Sequence, residues 1–446
     1  MLDDPDASLM LASAAAVCAQ SRPTPLYSTT TPLTANQPFA ITTTVPAASN
    51  PRAQYVAVAK SSAVIRCLLS CRTLPVVEVS AWQDTTTSLV QTSASGTAGV
   101  SGGLAAVAIT GLDSGRVVTA DVDDTGILSV QTWTVGASGV ALQNGYSTAA
   151  SSASPEVAVA TLSSTEVVTA YALPSGTLAV EAWTISAEGL PTPVSTVGYQ
   201  SGDVTGNQVL PGQSDVFANQ VSIATVNPNQ VVTAIGDRSQ SMWVTTWGIN
   251  SGVQAQQLQQ IPNTVSTAQG AVAVGAGQIT ELVPGIGHLL PHNETVQTAF
   301  TPFTNSAGEV NVLYWTISSS GQLTQQPALS ATYSIDDGVG AAMLPTGVPM
   351  TTYNCYGCEV DEYYHGYFAN DPWATALSTG ENDPPAVVGI PYFLAGPIGS
   401  ASEGNSPPSA FETYNAYFVT ASGVPGINLL YLQVFSYPLP PTSVIL

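Results

Sequence analysis

Three segments of this chain share one pattern at one spacing. Val117-Val118-Thr119-Ala120 is followed by Leu128, Val130 and Trp133. Val167-Val168-Thr169-Ala170 is followed by Leu178, Val180 and Trp183, and Val231-Val232-Thr233-Ala234 by Met242, Val244 and Trp247. In each, the first Val precedes the Trp by 16 residues. The loops between the shared positions are unrelated, so the pattern marks an interior that recurs, the signature of a repeat architecture. Weaker copies extend the series. Val296-Gln297-Thr298-Ala299 leads to Val310, Val312 and Trp315 with a hairpin read as three residues longer. Phe418-Val419-Thr420-Ala421 leads to Leu430, Leu432 and Phe435, and Tyr55-Val56-Ala57-Val58 leads across a long loop to Val77, Val79 and Trp82. The 120 residues from Trp315 to Phe435 require one more copy, at Met350 to Asn354 and Tyr363 to Phe368, making seven units.

Each unit reads as four short strands. A strand of small apolar residues such as Val157-Ala158-Val159-Ala160 comes first. The Val-Val-Thr-Ala strand, a Gly- or Asp-bearing turn, the Leu-x-Val-x-x-Trp strand and a more polar strand such as Thr192 to Tyr199 follow. Side chains alternate along a strand, so Leu128 and Val130 lie on one face and Trp133 on the other. A strand apolar on both faces is covered on both. Four-stranded sheets stacked face to face about an axis satisfy that requirement. On these residues the chain resembles the β-propeller superfamily, and loosely the secreted bacterial propellers with degenerate blades. The resemblance implies an all-β, seven-bladed propeller over residues 37–446, behind a leader of residues 1–36 with a short helix and an extended segment. A six-bladed ring with the Met350–Phe368 unit as an insertion stays open. A β-solenoid or tandem sandwiches are the rival architectures, and units of unequal length count against a solenoid. Ring closure is expected from residues 25–34 beside Thr442 to Leu446.

Charge narrows the function classes. Lys plus Arg is 7 and Asp plus Glu is 29, a formal charge of −22, and charged residues are only 8% of the chain. That excludes nucleic-acid binding through a basic surface and a polybasic membrane contact. No apolar run approaches the roughly 18 residues of a membrane span. A hydrophobic fraction of 44% and a mean hydropathy of +0.22 argue against disorder. A surface wetted by hydroxyls and amides suggests a secreted or surface-exposed protein. It also suits an acidic environment, where most carboxylates are neutral. Leu9 to Ala19 reads either as the apolar part of a signal peptide or as a short helix capped by Asp4 with Pro5 at its first position.

The five cysteines are Cys18 and two close pairs, Cys67-x3-Cys71 and Cys355-x2-Cys358. For an exported chain both pairs read as disulfides; a four-thiolate zinc site is the alternative. Three insertions outgrow the repeat. Tyr353 to Tyr367 holds Glu359, Asp361, Glu362 and His365 among Tyr353, Tyr356, Tyr363, Tyr364 and Tyr367. Tyrosines stack on sugar rings, and carboxylates accept sugar hydroxyls or serve as acid and base. A pinned hairpin with tyrosines packed between sheets is the plainer reading. Lys60 to Leu74 carries Arg66 and Arg72 and lies on the same face, separated by one blade. It reads as half of a frame for a carboxylated sugar, or as the basic partner of the acidic loop. Gly275 to Glu294, with His288 and His292, joins strand one to strand two on the opposite face. Pro291 disfavours the helix a His-x3-His metal site needs. Asp121-Val122-Asp123-Asp124-Thr125-Gly126 is similar to the start of a calcium loop but has Thr132 where the closing carboxylate belongs, so it reads as a polar turn.

No metal and no cofactor is expected, and no nucleophile elbow, phosphate loop or dinucleotide fingerprint occurs. The first functional expectation is a binding protein recognising glycan or another extracellular partner through loops on one face. The second is a glycoside hydrolase or polysaccharide lyase using Glu359, Asp361 or Glu362 with Tyr364 or His365. The third is a structural subunit of a homo-oligomer or surface assembly.

Overall fold

The computed structural model describes residues within 24–438; the longer segments it leaves out are 33–38, 45–54, 200–220, 284–291, 332–338, 354–362, 379–398 and 406–414. Among the described residues every regular element is a strand, and the strands form seven antiparallel sheets. In six of the seven the strands lie in chain order from one edge of the sheet to the other. Sheet one is Phe39–Thr43, Tyr55–Cys67, Cys71–Asp84 and Leu89–Gln91, with Gly96–Gly99 also on the third strand. Sheet two is Leu104–Asp113, Arg116–Asp123, Ile127–Gly136 and Gly139–Ser151. Sheet three is Val157–Ser163, Glu166–Ala172 and Leu178–Ile185, with a last strand split into Pro191–Pro193 and Gly198–Tyr199. Sheet four is Val221–Asn227, Gln230–Gly236, Met242–Asn250 and Gln254–Asn263. Sheet five has Thr267–Val272 and Gly275–Val283 along His292–Asn305, then Val310–Ile317, Leu323–Gln325 and Leu329–Ala331. Sheet six is Val339–Met343, Pro349–Tyr353, Tyr363–Phe368 and Asp371–Ser378.

The seventh sheet joins the two ends of the chain. Its strands are Gly399–Asn405, Asn415–Val424, Leu429–Pro438 and, from the beginning of the chain, Thr24–Pro32. The expected closing strand is therefore present, and its partner among the described residues is Leu429–Pro438. Thr31 stands opposite Leu430 and Thr24 opposite Ser436, while residues 442–446 lie outside the described residues. Leu430 and Leu432 of that partner are fully buried against Val56, Val58 and Trp82 of sheet one. The first strands of successive sheets pack on one another in order, and Gly399–Asn405 of sheet seven packs on Phe39–Thr43 of sheet one. The stack thus returns to its start, which makes the fold a β-propeller.

Between sheets lies the core that the repeat announced. Leu128 and Val130 of sheet two meet Val167, Tyr171 and Trp183 of sheet three. Trp133, on the other face, meets Ala57, Ala59 and Val79 of sheet one. The Thr of each repeat has a specific task. Trp133, Trp183 and Trp247 are fully buried, and each indole Nε1–H donates to that Thr, to Thr119, Thr169 and Thr233, at 2.9 Å. A buried indole N–H without an acceptor is costly, so the hydroxyl is as necessary as the ring.

This bond corrects the alignment of sheet five. Trp315 donates to Thr301 at 3.0 Å, and its cross-strand partner is Ala299. The copy is therefore Ala299-Phe300-Thr301-Pro302, three residues later than the Val296-Gln297-Thr298-Ala299 match. The Ala299-to-Trp315 spacing is 16 residues, as elsewhere, and the hairpin is not longer. Local similarity of letters was misleading there because Phe300 and Pro302 replace the usual second Val and the Ala.

The first strands of sheets one to four are also tied to one another. Thr42 Oγ1 accepts from Gly111 N at 3.0 Å, Thr161 Oγ1 donates to Gly111 O at 2.6 Å, and Thr225 Oγ1 donates to Thr161 O at 2.7 Å. Each hydroxyl crosses from one sheet to the next. Among the described residues no helix is long and apolar enough to cross a membrane.

Candidate functional site

Antiparallel order puts every turn between strands two and three at one end of the propeller. At that end sheet one is built differently from the rest. In sheet two the corresponding hairpin stops at Val122↔Leu128. In sheet one, where Val56↔Trp82 occupies the place of Val117↔Trp133, the ladder runs unbroken to Cys67↔Cys71. The first strand of the sheet pairs no farther than Lys60, and Gly96–Gly99 pairs no farther than Val76. Five pairs, Ala63↔Pro75 to Cys67↔Cys71, therefore form a two-stranded ribbon, unflanked by other strands among the described residues. At about 3.4 Å per residue the ribbon adds about 17 Å. The β-branched run Val64-Ile65 and Thr73 suits an extended chain. Ile65 is 71% exposed and Leu74 37%, and Arg72 and Thr73 are exposed too. The sequence marked this stretch as a long loop; its lack of Gly and its β-branched Val64, Ile65 and Thr73 were the signal that it is a ladder.

The three basic residues of this stretch part company. Lys60 is buried, with Nζ donating to Pro32 O at 2.7 Å and lying 3.7 Å from Glu78 Oε1. Ser80 Oγ in turn donates to Glu78 Oε1 at 3.3 Å. Lys60 thus fastens the end of the closing strand and pairs within its own sheet; it does not reach toward an acidic loop. Arg66 and Arg72 are carried to the outer part of the ribbon, where they are direct cross-strand partners.

Two places along the ring, beyond sheet seven, the tyrosine-rich hairpin of sheet six turns at the same end. Tyr353 stands opposite Tyr363, Thr352 opposite Tyr364 and Thr351 opposite His365. Tyr367 lies on the same strand. Tyr356, Glu359, Asp361, Glu362, Cys355 and Cys358 lie outside the described residues. Cys67 and Cys71 face each other in the ladder of sheet one. On the third insertion, Gly275–Val283 pairs along His292–Phe300 in register, Val283 opposite His292, so it is a strand one-to-two extension at the opposite end. His288 lies outside the described residues.

The aspartates of sheet two divide their roles. Asp123 Oδ1 accepts from Thr125 N at 2.9 Å, Thr125 Oγ1 at 2.6 Å and Ile127 N at 2.9 Å. Gly126 has φ of +82°, which a side chain resists. The carboxylate is spent on the turn, as the polar-turn reading requires. Asp121, two residues earlier, is fully buried, and neither oxygen has a hydrogen-bond partner among the described residues. Burial, helped by the charge of Asp123, holds its carboxyl well above the usual carboxylate range. Glu181 of sheet three is buried as well; burial raises it, while the hydrogen bond from Tyr171 Oη at 3.3 Å pulls it back. Nothing in the sequence pattern distinguished these acids from surface acids.

No family model and no curated protein matches the chain. Solved structures similar to it include a lectin of Burkholderia pseudomallei, 13% identical, with TM-score 0.49, covering 88% of this chain and 97% of that one. The fucose-specific lectin of Aleuria aurantia is 10% identical, with TM-score 0.38, covering 78% and 97%. A Bacteroides uniformis protein described as a candidate 6-phosphogluconolactonase is 13% identical, with TM-score 0.42, covering 79% and 90%.

Proposed function

We propose that this chain is a secreted or surface-exposed binding propeller that recognises glycan through the strand two-to-three end. The ribbon of sheet one is the observation that carries the reading. A two-stranded ribbon is marginal in water by itself, and its exposed Ile65 and Leu74 add further cost. Its strand edges invite pairing with a partner. A binding role would offset those costs. The tyrosine-bearing strands of sheet six turn at the same end, and tyrosine offers a flat, weakly polar platform for sugar rings.

The test is a glycan array combined with a screen for polysaccharide degradation between pH 3 and pH 7. Binding without turnover, lost when residues 63–75 are replaced by a two-residue turn, supports the proposal. Turnover that Glu359→Ala or Asp361→Ala abolishes would replace it with a carbohydrate-active enzyme centred on the sheet-six turn. Silence in both screens refutes it.

A further inference from the structure

We propose that Arg66 and Arg72 form an anion clamp, and that the glycan taken by this end is an acidic polysaccharide bearing carboxylate or sulfate groups. The inference rests on the glycan reading above and adds to it the class of ligand and the residues that select it.

The register supplies the first argument. Arg66 and Arg72 are direct partners in an antiparallel ladder, a register that puts both positions on one face of the ribbon. Like charges in that relation destabilise a ladder. A guanidinium stays charged at any ordinary pH, so the repulsion is not relieved by titration. Residues 61–77 contain no Asp or Glu, and the next acid along the chain, Glu78, is paired with Lys60. The ribbon therefore provides no counter-charge of its own. An anion placed between the two would turn the repulsion into two charge-assisted contacts, for which the planar fork of Arg is well shaped.

Reach supplies the second. A protein of formal charge −22 repels polyanions at close range. Physiological salt screens that field over about 8 Å. The five ribbon pairs extend about 17 Å. The Arg pair is the fourth of the five, about 14 Å out, so most of the body's negative potential has decayed where it stands. An Arg pair at the level of the neighbouring turn, beside Asp123 and Asp124, would have no such relief.

The third argument concerns what lies beside the pair. Two residues down each strand, on the same face, are Val64 and Leu74, themselves direct partners. Leu74 is 37% exposed and Val64 partly so. The step between the two levels is about 7 Å. That is room for a pyranose ring to rest its C–H face on the apolar pair and direct an exocyclic acid at the arginines. A second copy of this acidic chain would also present carboxylates, but it would bring its whole like-charged body with it.

Binding of the full-length chain to polygalacturonate, to its methyl ester and to heparin, followed by calorimetry in increasing NaCl, decides the matter. We expect the acidic polymers to bind, the ester to bind at least tenfold more weakly, and salt to weaken the former. Arg66→Gln with Arg72→Gln should reduce acidic-polymer affinity by about tenfold or more without lowering the melting temperature. Equal binding of acid and ester, or an indifferent double variant, overturns the clamp while glycan binding stands. Failure to bind any glycan overturns both. A wild-type oligomer that the double variant dissociates, without acidic-glycan binding, would show the arginines serving a second copy of the chain instead.

Discussion

Replacing Asp121 with Asn should change how stability depends on pH, and the sign is set by burial. The Asp121 side chain is fully buried between sheets one and two, both oxygens lack partners among the described residues, and Asp123 adds negative charge beside it. The sheet-one side chains buried in this interface include Tyr55, Ala57, Ala59, Val77 and Val79, none of them a carboxylate or a cation. Its folded-state affinity for a proton therefore exceeds that of the unfolded chain. Below the unfolded value, near pH 4, the group is protonated in both states and is neutral in its effect. As pH rises from there toward the raised folded value, only the unfolded chain releases the proton, and stability is lost. The loss has a ceiling of about 1.4 kcal/mol per pH unit for one proton. Asn cannot titrate, and its unpaired amide costs about 1–3 kcal/mol at every pH. Urea denaturation of both proteins from pH 3.5 to 7.5, followed by two optical probes, should show Asp121→Asn gaining on the wild type steadily above pH 4. The pH at which the gain stops reports the folded value. A stability difference that is flat across the range, or that moves the other way, refutes the reasoning and with it the raised proton affinity assigned to the buried acid.

Four further outcomes follow from the packing. Glu181→Gln should show the same sign over a narrower range, because Tyr171 already steadies the carboxylate, and Tyr171→Phe should widen that range in otherwise native protein; pH-dependent urea midpoints check both. Thr233→Val leaves the Trp247 indole without its acceptor and should cost about 1–3 kcal/mol in urea unfolding, whereas Val232→Thr, which removes no acceptor, should show no loss of the indole bond by NMR of Nε1–H. Lys60→Met removes the bond to Pro32 O and leaves Glu78 without its cation, so hydrogen exchange in Thr24–Pro32 should quicken before the rest of the ring responds. Non-reducing peptide maps should show the Cys67–Cys71 pair expected from the sequence as two hydrogens lighter than its reduced form, and reduction should weaken glycan binding without lowering the melting temperature.

The strand pattern and its energetic logic were legible in the letters. Small apolar residues, Val-Val-Thr-Ala and a distant Trp define two buried faces per strand, and two buried faces demand sheet upon sheet. The fourth clear unit shows the limit of that reading. Val296-Gln297-Thr298-Ala299 resembles the motif, yet Thr301 is the residue the Trp315 indole finds. A hydrogen bond between strands is a stricter judge of register than similarity along one strand. The candidate site was legible only in outline: Arg66, Arg72 and the tyrosines were visible as residues, and their arrangement was not.

What this sequence determined by itself was repetition, because burying an indole and its Thr partner leaves the same residues at the same interval each time. Tertiary structure alone decided the rest. It took Thr24–Pro32 into the last sheet beside Leu429–Pro438, set Arg66 opposite Arg72, and sealed Asp121 between two sheets. Each of those outcomes depends on which distant strands meet, and pairing between distant strands leaves no periodic trace in either one.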